Sequence, residues 1–128
     1  NTTNAEVPGC RNWIWWDVDL LRETFKGDDN RWGASSSSGG RKQSIWKWQG
    51  EVLTEGIEGD ILMIADLEGD WREELITALP GELRIYHTNI PARDRRVTLM
   101  QDPLYRSYVA HRSMGYPQAP VPSFYLGE

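Results

Sequence analysis

The chain has 128 residues and a formal net charge of −5, from 19 acidic and 14 basic side chains. That size suits one small domain, and the acidic balance with no basic stripe argues against a nucleic-acid partner. No apolar run is long enough to cross a membrane as a helix, and the lone Cys10 leaves no intrachain disulfide.

In chain order the text reads as strands and turns, with no helix. Residues 12–16 form an aromatic and β-branched run, and residues 21–25 continue it after a turn. Residues 27–43, with Asp28-Asp29-Asn30, Ser35-Ser36-Ser37-Ser38 and Gly39-Gly40, are too polar and glycine-rich for a core and read as a flexible loop. Further strands are predicted at 44–48, 61–65 and 75–79, then at 82–87 after the turn signal Pro80-Gly81, and finally at 96–100 and 105–111. Strict alternation in 82–87 puts Leu83, Ile85 and His87 on one face. Pro117, Pro120 and Pro122 then break regular structure. Eight or nine short, evenly spaced strands predict an all-β chain.

A repeat sharpens this. Asp17, Asp19 and Glu23 recur as Glu68, Asp70 and Glu74, each pair 51 residues apart, and a hydrophobic strand precedes both copies. A period near 50 fits one four-stranded β-propeller blade, so the chain reads as about two such blades. They cover roughly residues 12–60 and 61–112, with a tail at 113–128, in one segment over 1–128. In the second copy, Asp66, Glu68, Asp70 and Glu74 place carboxylates at loop positions one, three, five and nine, with Gly69 at the sharp turn. Calcium takes six to eight hard oxygen ligands, which an alternating acidic loop can offer. Asp66, Glu68, Asp70 and Glu74 are therefore candidate calcium ligands, and Asp17, Asp19 and Glu23 form a second candidate set without the glycine. The bland reading of both is a solvated acidic turn. Arg93, Arg95 and Arg96 form the one dense basic run, either a solvated loop or an anion contact.

The segment Ile64-Ala65-Asp66-Leu67-Glu68-Gly69-Asp70-Trp71-Arg72-Glu73-Glu74 resembles a signature of polysaccharide lyase family 11, the rhamnogalacturonan lyases. So do Trp15-Trp16-Asp17-Val18-Asp19-Leu20-Leu21-Arg22-Glu23, Thr98-Leu99-Met100-Gln101-Asp102-Pro103-Leu104-Tyr105-Arg106 and Gly115-Tyr116-Pro117-Gln118-Ala119-Pro120. The resemblance covers about residues 12–128 and keeps order and spacing. It implies blades of an eight-bladed propeller with bound calcium, in a secreted, extracellular or periplasmic protein. It also implies β-eliminative cleavage of the galacturonate–rhamnose bond in pectin.

Carried over by residue, the resemblance implies that Tyr116, Ser113 and Gly115 line a substrate cleft. The family's Asn-Gly-Thr-Lys element falls on Glu55-Gly56-Ile57-Glu58, where Gly56 alone matches and an acid replaces the lysine. No catalytic residue is assigned. Alternatives therefore stay open: a non-catalytic polysaccharide-binding module, or a self-assembling fragment. Two blades leave sheet edges to be covered by the remaining blades or by further copies of the chain, and the isolated chain is expected to be inactive.

Overall fold

The computed structural model describes residues 13–27, 42–48, 50–115 and 118–127. Two antiparallel sheets carry the fold. The first has the order β1 (Trp13–Ile14), β2 (Glu23–Gly27), β3 (Lys42–Trp46) and β4 (Val52–Glu58). The second has the order β5 (Asp60–Ala65), β6 (Glu74–Leu79) and β7 (Glu82–Tyr86). Each strand pairs with its neighbour in sequence, so both sheets are simple meanders. The all-β reading with two sheets holds, with three strands rather than four in the second.

The sequence period survives in the pairing register. Ile14 pairs with Glu23 in the first sheet, and Ala65 with Glu74 in the second, the same pairing displaced by 51 residues. Both acidic turns therefore hang from the same position of equivalent strand pairs. The predicted 27–43 loop lies mostly outside the described residues, but its ends are strand: Gly27 pairs with Gln43 across β2 and β3.

Three expectations are corrected. β4 was not foreseen, because Glu55 and Gly56 interrupt its apolar pattern; Gly56 sits at φ +77°, in the left-handed region that favours glycine. Residues 96–100 are not a strand but lead into a short 3-10 turn at Leu99–Gln101. Residues 105–111 lie within a helix, α1 (Pro103–Arg112). Asp102 caps it, accepting from the Tyr105 amide at 3.2 Å, and Pro103 opens it, where its missing N–H costs nothing.

Two apolar clusters flank the turns. Ile14, Trp16, Phe25, Ile45, Ile57, Ile64 and Leu75 pack together across the two sheets. Trp15, Trp71, Leu99, Tyr105 and Leu126 form a second cluster with α1. Adjacent residues on an extended chain point to opposite sides, so Trp15 and Trp16 feed different clusters. The outward face of β7 is bare: Leu83 is 67% exposed and Ile85 62%. The alternation foreseen for 82–87 is present, but its apolar side meets solvent within this chain.

Candidate functional site

The two acidic turns share a scaffold and differ in what the carboxylates do. Glu23 opens β2 and accepts from the Trp16 amide at 2.8 Å. Its counterpart Glu74 opens β6 and accepts from the Leu67 amide, the equivalent donor, at 2.6 Å. Asp19 accepts from the Leu21 amide at 2.8 Å, and Asp70 from the Arg72 amide at 3.1 Å, again equivalent positions. These four bonds close the turns, since each side chain satisfies a backbone donor that the loop would otherwise strand.

In the first turn the carboxylates converge. Asp17, Asp19 and Glu23 each present an oxygen, and these atoms lie within 4.8 Å of one another; no other such group occurs among the described residues. The Lys47 ammonium reaches in from just after β3, 2.6 Å from Asp17 and 2.9 Å from Asp19. Those hydrogen bonds hold the lysine firmly charged, above its usual range. Glu23 has no such partner. Burial pushes its carboxyl up to about 8 against the pull of the Trp16 amide, and the like charges of Asp17 and Asp19 push it further.

In the second turn the carboxylates disperse. Asp66 is buried and accepts from the Gly69 amide (2.8 Å), the Trp71 amide (3.3 Å), the Thr98 hydroxyl (2.8 Å) and the Leu99 amide (2.7 Å). Asp70 pairs with the Arg72 guanidinium, which also donates to the Ile90 carbonyl. Glu74 is buried and also accepts from the Glu68 amide at 3.0 Å. Glu68 points outward, 3.7 Å from His87 Nδ1. Of the two predicted ligand sets, the structure gathers Asp17, Asp19 and Glu23. It does not gather Asp66, Glu68, Asp70 and Glu74.

Between the turns lies a junction built around Glu73. Glu73, wholly buried, accepts from the Trp15 amide at 3.0 Å and from the Tyr105 hydroxyl at 2.7 Å. The Glu73 amide in turn donates to the Trp15 carbonyl at 2.9 Å. Arg22 stands 4.0 Å from Glu73, lies over the Trp15 ring at 3.8 Å and donates to the Pro120 carbonyl. Burial pushes the Glu73 carboxyl up to about 7, opposed by Arg22 and by the Tyr105 hydrogen bond. Arg22 and Glu73 occupy equivalent positions of the repeat, 51 residues apart with opposite charge. That charge swap was the available clue.

The expected substrate residues lie on separate elements. Gly56 is exposed on β4 of the first sheet. Ser113 caps the end of α1, its hydroxyl donating to the Ala110 carbonyl at 2.7 Å, and Gly115 follows at φ +85°. Tyr116 lies outside the described residues. Glu58, the acid that the resemblance sets in place of a lysine, is not bare: Arg84 donates to it at 2.6 Å.

Comparisons with known proteins agree with this frame. Residues 1–128 match the family described as "Rhamnogalacturonan lyase family 11, C-terminal domain". The chain is 41% identical over 125 residues to the rhamnogalacturonan endolyase YesW of Bacillus subtilis (strain 168), spanning 95% of this chain and 20% of that protein. It is 37% identical over 134 residues to the rhamnogalacturonan exolyase YesX of the same organism, spanning 95% and 21%. The crystal structure of exotype rhamnogalacturonan lyase YesX superposes with a TM-score of 0.69 at 34% identity, covering 89% of this chain and 20% of that one. The chain thus spans about one fifth of the length of these relatives. With its whole length matched and its strand pairs and turns in a common register, the chain belongs to rhamnogalacturonan lyase family 11, as the family's C-terminal domain.

Proposed function

We propose that this domain serves a pectin-degrading lyase that breaks the galacturonate–rhamnose bond of rhamnogalacturonan by β-elimination. The observation that carries the reading is the family match over residues 1–128, supported by two relatives named for rhamnogalacturonan cleavage. Because the chain spans a fifth of those relatives, the activity is assigned to the polypeptide as a whole and the domain is given a scaffolding and substrate-holding part. Elimination from a uronate needs its carboxylate neutralised, so that the neighbouring C–H yields to a base. On this reading the two sheets are propeller blades, and the β7 edge and its exposed Leu83 and Ile85 are covered by further blades. The substrate polymer lies outside cells, which supports secretion; no described helix is long and apolar enough to cross a membrane.

We also propose a calcium ion at the first turn. Asp17, Asp19 and Glu23 supply converging hard oxygen donors, and the Lys47 ammonium already stands between two of them as a cation. Calcium held there would supply the positive charge that Glu23 lacks and would fasten the β1–β2 turn. The second turn needs no ion for its closure, since protein donors meet Asp66 and Glu74.

A second reading is a polysaccharide-binding module without catalysis: the resemblance sets the acid Glu58 in place of a lysine, and Arg84 is committed to that acid. One experiment separates the two. The full-length polypeptide, incubated with rhamnogalacturonan and calcium, is expected to generate the ultraviolet absorbance of an unsaturated uronate product. Binding without that absorbance would favour the second reading over the first.

A further inference from the structure

The basic run at 93–96 pairs with none of the acidic side chains of either turn among the described residues, and the chain folds it against its own C-terminal segment. Asp94, Arg95, Arg96, Val97, Phe124, Tyr125 and Leu126 enclose an open cavity of about 470 Å³. That lies within the range of about 300–1,000 Å³ usual for ligand clefts.

The cavity's two walls are held in place. Leu126 is buried in the second apolar cluster, and its carbonyl accepts from the Arg96 guanidinium. Ser123, one residue before the aromatic pair, donates to Asp102 through its amide (2.6 Å) and its hydroxyl (2.7 Å). The opposite wall is tied to the core by the Trp71 indole, which donates to the Asp94 carbonyl at 3.0 Å. Between these anchors, Tyr125 is 74% exposed and Phe124 48%. The Tyr125 ring lies close to Gly127, where an added Cβ would come within 2.4 Å of it. One side of the ring is backed by the Gly127 backbone and the rest is open.

Charge completes the site. Arg95 is exposed and makes no hydrogen bond or ion pair among the described residues. The run 93–96 holds three arginines against the single Asp94, in a chain whose net charge is −5. A planar guanidinium matches a carboxylate through paired donors, and an aromatic face accepts the C–H side of a sugar ring. We propose that this cavity is a subsite for a uronate-bearing stretch of an acidic polysaccharide, with Arg95 meeting the carboxylate and Tyr125 stacking under a sugar ring. The inference rests on the pectic substrate proposed above and gives it a place on this domain, lined by residues other than the acidic side chains of the two turns.

The test is titration of the chain with an oligosaccharide of alternating galacturonate and rhamnose, read by calorimetry and by amide chemical shifts. Shifts are expected at residues 94–97 and 123–127. Tyr125→Ala and Arg95→Ala should each weaken binding about tenfold, the size of a lost charged hydrogen bond or stacking contact. Arg95→Lys should recover part of the loss. Both side chains are exposed, so the melting temperature should stay at the wild-type value and folding does not confound the result. Gly127→Ala displaces the ring and should weaken binding while leaving Arg95 intact. Wild-type binding that neither variant alters would overturn the subsite and leave the lyase reading standing. Equal binding of neutral galactan would overturn the uronate assignment. No binding of any oligosaccharide would also overturn the subsite, and product formation by the full-length polypeptide would then decide the lyase reading separately.

Discussion

The two acidic turns hang from strand pairs in identical register, yet they solve the same problem in different ways. The second turn satisfies its carboxylates from within the protein: Asp66 alone takes four donors, two of them from the segment at Thr98–Leu99. The first gathers three carboxylates and supplies one lysine, leaving Glu23 without a cation. A repeat thus preserves the frame of a loop while changing what neutralises it. The self-contained copy closes on protein donors, and the under-neutralised copy is the one for which an ion is proposed.

The sharpest way to break that contrast is to remove the central acceptor of each turn. Asp66→Ala strands four buried or half-buried donors and should cost about 3–5 kcal/mol in urea unfolding, since bonds to a charged group carry about 1.5–3 kcal/mol each and do not add fully. Asp17→Asn removes a charge from a crowded cluster and should cost far less in cation-free buffer. If the two substitutions destabilised the fold equally, the distinction between the turns would fail.

Much of this contrast was legible in the sequence, and its direction was not. The spacing of Asp17, Asp19 and Glu23 against Glu68, Asp70 and Glu74 encodes a register, and the strand pairing keeps it. Which turn gathers its carboxylates depends on Lys47 and on Thr98 and Leu99, 28 to 33 residues away from the turns they serve. No local pattern announces such partners. The helix at 103–112 was missed for a different reason. Tyr105, Tyr108 and Val109 favour strands by residue type, while the cap Asp102 and Pro103 carry the helical signal. β4 was hidden by Gly56, whose positive φ a strand pattern does not anticipate. The fully buried Glu73 reads as one more acid in an acidic run; only its alignment with Arg22 sets it apart.

A smaller effect is expected from calcium. If the first turn holds the ion, calcium at about a hundred times its dissociation constant should stabilise the chain by about 2.7 kcal/mol. Thermal unfolding with and without chelator would show the shift. Asp17→Asn should abolish most of it, whereas Asp70→Asn, in the turn that closes on protein donors, should leave it in place. A calcium shift lost equally in both variants would mean that the two turns act as one site.

The dependence on pH in cation-free buffer has a definite sign, which follows from the raised carboxyls. Glu23 sits at about 8 and Glu73 at about 7 in the folded chain, against about 4.5 when exposed. Between those values the folded state holds protons that the unfolded state has released, so stability falls as pH rises. The decline should begin near pH 4.5, run through 7 for Glu73 and finish near 8 for Glu23. Glu23→Gln should flatten the upper part of the decline and leave the Glu73 part. Calcium should flatten the same upper part in the wild type, because an ion takes over the work of the proton on Glu23. A decline that calcium leaves untouched would place the ion away from Glu23, and the first turn would then be a salt-bridged loop completed by Lys47.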